Sequence, residues 1–113
     1  MKDYSAYLTF DRIDESEISA IQTIARQFSQ VIDIGENHLE YDYIGRDTGR
    51  RIIHLFAQIA PILGNCEGEI CCEIENNDGN NLYEFFFIRD RTLFCQSGKI
   101  VRGTVEKVSL PMD

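Results

Sequence analysis

Nothing in these 113 residues is apolar for long enough to cross a bilayer. The longest apolar stretch, Ile52 to Leu63, contains His54 and Gln58 and falls short of the roughly 20 residues a spanning helix needs. A secretory leader is also missing: Met1-Lys-Asp-Tyr runs directly into an alternating segment, which predicts a cytoplasmic protein. Basic residues are scarce, with eleven Lys and Arg against nineteen Asp and Glu and a net charge of −8. A general nucleic-acid or anionic-membrane binder needs the opposite sign. The balance leaves a basic partner, a cation, or solubility alone.

The chain also lacks internal repeats, low-complexity tracts and linkers. Residues 1–113 therefore read as one domain, large enough to bury a core without disulfide or metal support. Its four cysteines lack the paired C-x₂-C spacing of structural zinc sites. Cys71 and Cys72 are adjacent in a strand-like run, so their side chains point to opposite faces and share no ion. In a reducing compartment they stay thiols, with Cys72 and Cys95 packed in the core and Cys71 accessible.

Catalytic signatures are missing too. His38 and His54 stand in no motif that supplies a nucleophile or an acid partner. His38, Glu40 and Asp42 share a strand face, but neighbours two apart sit roughly 7 Å from one another along the chain, loose for a single ion. No catalytic residue, metal or cofactor is assigned. Gly45-Arg-Asp-Thr-Gly-Arg-Arg51 is not a P-loop, because the Gly-Lys-Ser/Thr ending is absent. It does place Arg46, Arg50 and Arg51 beside a helix start, where guanidiniums and backbone amides hold anions.

What is present is regular. Tyr4, Ala6, Leu8 and Phe10 alternate with Ser5, Tyr7 and Thr9 as in a strand. Asp14 with Glu17 forms a capping box, Ile13 with Ile18 has hydrophobic-staple spacing, and a helix follows to about Ser29. Val31–Ile34, a turn at Gly35–Asn37 and His38–Ile44 read as a hairpin, with Leu39, Tyr41 and Tyr43 inward. A second helix starts near Asp47, is weakened in its last turn by Pro61, and stops at Gly64.

The segment 68–102 is strand after strand. Glu69–Glu75 and Leu82–Ile88 flank Asp78-Gly79, a two-residue hairpin signal. That turn pairs positions whose numbers sum to 157. Ile70, Cys72, Ile74, Tyr83, Phe85 and Phe87 then face the core, and Cys71 opposes Phe86 as Glu73 opposes Glu84 on the other face. Further strands are expected at about 92–96 and 99–102.

The order predicts an α+β domain: a ferredoxin-like βαββαβ sheet with two helices on one face, extended by a C-terminal antiparallel β-meander. The open face would display Tyr7, Glu40, Asp42, Glu69, Cys71, Glu73, Glu84 and Phe86. Rings among carboxylates suit a basic protein partner. The expectation is a small acidic protein-binding module, most concretely an immunity- or inhibitor-type protein. The alternatives are a small anionic-ligand-binding protein or enzyme using Arg46, Arg50 and Arg51, and a homodimer packed through Phe86 and its neighbours. Neither nucleic acid nor membrane is expected as a partner.

Overall fold

The computed structural model describes residues 1–76, 79–98 and 102–108, with the backbone course alone at 97–98 and 102–106. The elements run β1 (Lys2–Phe10), α1 (Glu15–Gln27), β2 (Asp33–Ile34), β3 (His38–Gly45), α2 (Arg51–Leu63), β4 (Cys66–Ile74), β5 (Leu82–Arg89), β6 (Thr92–Gly98) and β7 (Arg102–Lys107). A short 3₁₀ turn at Thr48–Arg50 leads into α2. The protein is α+β, with all strand pairs antiparallel and the order β2-β3-β1-β4-β5-β6-β7.

Local chemistry accounts for most of these boundaries. The Asp14 carboxylate accepts the Glu17 amide at 2.8 Å while Glu17 Oε1 accepts the Asp14 amide at 3.1 Å. The capping box is complete, and α1 begins where it satisfies the first orphan donors. Helix α2 ends at Gly64, whose φ of 74° is costly for any side chain. Pro61 lies inside its last turn, where it has no N–H to donate to the Ala57 carbonyl.

Alternation sets the layers. Tyr4, Leu8, Leu39, Ile70, Cys72, Phe86 and Ile88 are fully buried on one sheet face. They pack with Ile21 and Ala25 of α1 and with Ile52, Ile53, Leu55, Phe56, Ile59 and Ala60 of α2. Burial of this apolar set is the main driving force for the fold.

The β4–β5 hairpin corrects the expected register. Ile70 pairs with Phe86, Cys71 with Phe85, Cys72 with Glu84, Glu73 with Tyr83 and Ile74 with Leu82. The numbers sum to 156, one fewer than a turn centred on Asp78-Gly79 requires. The Gly79 amide donates to the Asn76 carbonyl at 3.1 Å, and Gly79 has φ 82°. Glycine thus sits at the left-handed position that closes an odd-length loop, not inside a two-residue turn. Asp78, the other residue of that expected turn, lies with Asn77 outside the described residues. Because strand side chains alternate, the one-residue slip exchanges every β5 side chain between faces.

Two further expectations shift. The last described strand runs Arg102–Lys107 rather than 99–102, and residues 99–101 lie outside the described set. Helix α1 stops at Gln27, with Ser29 already at φ 58°.

Candidate interaction surface on the sheet face away from the helices

Strands β3, β1 and β4 bring the acidic half of this face together. Glu40 pairs with Tyr7, and Tyr7 with Glu69. One row along, Asp42 pairs with Ser5 and Ser5 with Cys71. A hollow of about 360 Å³ is lined by Ser5, Ala6, Tyr7, Glu40, Asp42, Glu69 and Cys71. The Tyr7 side chain is 57% exposed between its two carboxylate neighbours. A ring in that position presents a negative π face beside negative charges, which is a cation-attracting arrangement.

Strands β5 and β6 supply the other half, and it is aromatic. Tyr83 and Phe85 stack with centroids 6.4 Å apart and planes 12° apart. Phe87 and Phe94 stack across the strands at 5.6 Å and 17°. The Arg89 guanidinium lies 4.9 Å over the Phe87 ring, and Lys107, the register partner of Phe94, is exposed. The Tyr83 hydroxyl donates to Glu73 Oε2 at 2.6 Å. That bond joins the two halves and pushes the phenol pKa up, because the neighbouring carboxylate disfavours phenolate.

Six of the eight expected surface residues are therefore on this face: Tyr7, Glu40, Asp42, Glu69, Cys71 and Glu73. Glu84 and Phe86 are not. Phe86 is 0% exposed beneath the helices, so no partner reaches it, and the expected homodimer contact through Phe86 is ruled out with it. Each Glu84 carboxylate oxygen accepts from Arg50 Nη2 at 3.1 Å, and Oε2 also accepts from the Cys95 thiol at 3.9 Å. The expected pairing of Glu73 with Glu84 is not formed: Glu73 pairs with Tyr83, and the two carboxylates point to opposite faces. Tyr83, Phe85 and Phe87 replace them on the surface. The one signal that could have found these rings is the length parity of the hairpin loop.

The arginine loop is occupied from within. Arg50 holds Glu84 and lies 5.9 Å from the centre of the Phe86 ring, while Arg51 lies 5.7 Å over Phe28. Asp47, buried at 7% exposure, accepts the Tyr4 hydroxyl at 2.6 Å and the Ile52 amide at 3.1 Å. A carboxylate of this chain already takes the α2 N-terminus, where an external anion would otherwise sit. Arg46 lines a hollow of about 280 Å³ at this same helix start, together with Phe28, Gln30, Tyr43, Asp47 and Arg51.

The four cysteines form no disulfide. Cys72 is buried in the core as expected; Cys66, Cys71 and Cys95 are half-buried. Burial pushes the Cys66 thiol up to about 12 and the Cys72 thiol up to about 11, so neither is a ready nucleophile. Among the described residues, no three His, Cys, Asp or Glu side chains converge to hold a metal ion. No helix among them is long and apolar enough to cross a membrane. The chain matches no family model, no curated protein and no solved structure.

Proposed function

We propose that the chain is a protein-binding module whose helix-free sheet face receives a basic protein partner. The observation that carries this reading is the pairing of two halves on one surface. Exposed Tyr7 stands between Glu40 and Glu69, beside a stacked aromatic set led by Phe87 and Phe94. Carboxylates steer a basic partner and fix its register; rings supply contact area at low entropic cost. An inhibitor that neutralises a basic toxin or enzyme is the most concrete form of this function. The arginine-loop alternative is less well supported, because Arg50 and Asp47 are both engaged internally.

The βαββ-αβ beginning of the chain also reads as a ferredoxin-like unit, on the strength of the order β2-β3-β1-β4. Strands β5 to β7 extend it and enlarge the face offered to a partner.

Differential capture tests the functional reading. Wild type and a Glu40→Lys/Glu69→Lys variant are immobilised and exposed to the same lysate of the source cells, with bound proteins quantified by mass spectrometry. A basic protein held by wild type and lost from the variant supports the proposal. Identical captures from both would overturn it.

A further inference from the structure

We propose that the basic partner adds an extended segment, as one more strand, to the free edge of β3. The inference rests on the proposed function for the kind of partner and deepens it. Its own ground is the direction in which the β3 backbone groups point.

In an antiparallel ladder the N–H and C=O of one residue point to the same neighbouring strand, and successive residues alternate. The Phe10 amide donates to the Asn37 carbonyl at 3.1 Å, continuing the β1–β3 register. Odd-numbered residues of β3 therefore bond to β1. The Gly35 amide donates to the His38 carbonyl at 2.9 Å, so even-numbered residues face the other way, toward β2. Strand β2 reaches only to Asp33, the partner of Glu40. Past that pair the N–H and C=O of Asp42 and of Ile44 point outward, and no strand among the described residues bonds to them. Asp42 is exposed, and Ile44 is 68% exposed. A row of open donors and acceptors is a template for an added strand.

Charge selects the occupant. Asp42 and Ile44 share the parity of Glu40, so their side chains lie on the face without helices. Asp33 sits beside Glu40 and Asp3 beside Ile44, and all four acids are exposed. Lys2, the basic residue of β1, has the opposite parity. A second copy would bring the same acids against this edge, whereas a basic segment neutralises them. At the far edge of the sheet, β7 carries Arg102 and Lys107 with one acid, Glu106, the wrong sign for the same partner.

The two sides of the added strand meet different surroundings. A residue opposite Asp42 lies among carboxylates and is basic. A residue opposite Tyr43 turns toward the helices, where Tyr43 and Phe28 line a hollow with Arg46 and Arg51. Two arginines there disfavour a basic side chain, and the rings favour an apolar one. The recognised segment is therefore short and alternates basic with apolar residues.

Amide hydrogen exchange of the full chain, followed by NMR, is the test. The probe is an acetylated, amidated heptapeptide alternating lysine and valine, at up to about 5 mM, a concentration that reaches a weak contact. In the free chain the amides of Asp42 and Ile44 should exchange quickly, and those of Tyr41 and Tyr43 slowly. Bound peptide should slow exchange at Asp42 and Ile44 about fivefold or more. Ile44→Pro deletes an outward donor and spares the bonds to β1, so it should weaken peptide binding about fivefold. Ile44→Thr keeps that amide and should bind within about twofold of wild type. Denaturant melts establish that both variants fold, and the exchange measurement on wild type stands should Ile44→Pro unfold. Unchanged exchange at Asp42 and Ile44, or equal binding by the two variants, would overturn the proposal. Neither result decides the capture experiment: a basic protein lost from Glu40→Lys/Glu69→Lys, with no protection of the β3 edge, leaves the sheet-face reading standing without strand addition.

Discussion

The Tyr4 hydroxyl donates to Asp47 Oδ2 at 2.6 Å, across 43 residues of sequence, in the interior beneath α2. The other Asp47 oxygen accepts the Ile52 amide. One side chain therefore ties the central strand β1 to the start of α2. Burial and this bond both raise the Tyr4 pKa, burial the more. Asp47→Ala strands a buried hydroxyl and a helix amide, and should cost about 2–4 kcal/mol in urea unfolding. Tyr4→Phe should cost about 1–3 kcal/mol. The double variant should fall well short of the sum, since the two groups share one bond. Additive losses would show that the contact contributes nothing.

The observed register makes an opposite demand of two adjacent phenylalanines. Phe86→Ala empties a fully buried site and should cost about 3–5 kcal/mol. Phe85→Ala, on the half-exposed face, should cost about 1 kcal/mol. A register with numbers summing to 157 requires the reverse ranking, so the two urea melts decide between them.

That hairpin also marks the limit of what alternation alone reveals. The capping box at Asp14 and Glu17, the inward Leu39 and Tyr41, and the Gly64 stop were readable because each depends on a few neighbouring residues. In β5 the neighbours do not decide. Phe85, Phe86 and Phe87 are consecutive, so either parity buries a ring, and only the loop geometry at Gly79 chooses. Of the surface, β1, β3 and the outward side of β4 were legible for the same local reason; β5 was not. The role of Asp47 was hidden because its partner Tyr4 is 43 positions away.

Thiol chemistry should follow burial. In native protein near pH 8, a small alkylating reagent should label Cys71 before Cys72, with mass spectrometry of peptides as the readout. Labelling of Cys72 first would contradict the placement of β4. The neutral Cys72 thiol is what the fold accommodates, and its pKa rises from an ordinary 9.0 to about 11. Its contribution to stability is therefore complete below about pH 9 and declines as pH rises toward 11, where the unfolded chain has already lost the proton. Cys72→Ala should flatten that part of the alkaline profile. An unchanged slope would count against it.

Acid stability should report the α1 cap. The Ser16 hydroxyl and the Glu17 amide hold the Asp14 carboxyl below the ordinary carboxylate range. As pH falls, the unfolded chain takes up this proton first, so the cap stabilises fully above the ordinary value and is lost as pH drops through the lowered one. Asp14→Ala should be less stable than wild type near neutrality, and the gap should close in acid. A gap independent of pH would mean that the charge of the cap plays no part.

The most direct test of the proposed partner site is its footprint in solution. Adding the captured basic protein to isotopically labelled chain should shift or broaden the amides of Tyr7, Glu40, Glu69, Cys71, Phe85 and Phe87, and leave α1 and the loop at 45–51 unchanged. Higher salt should slow association while leaving the footprint in place. Perturbations confined to Arg46, Arg50, Arg51 and the helices, with the sheet face silent, would contradict the account and favour the arginine loop.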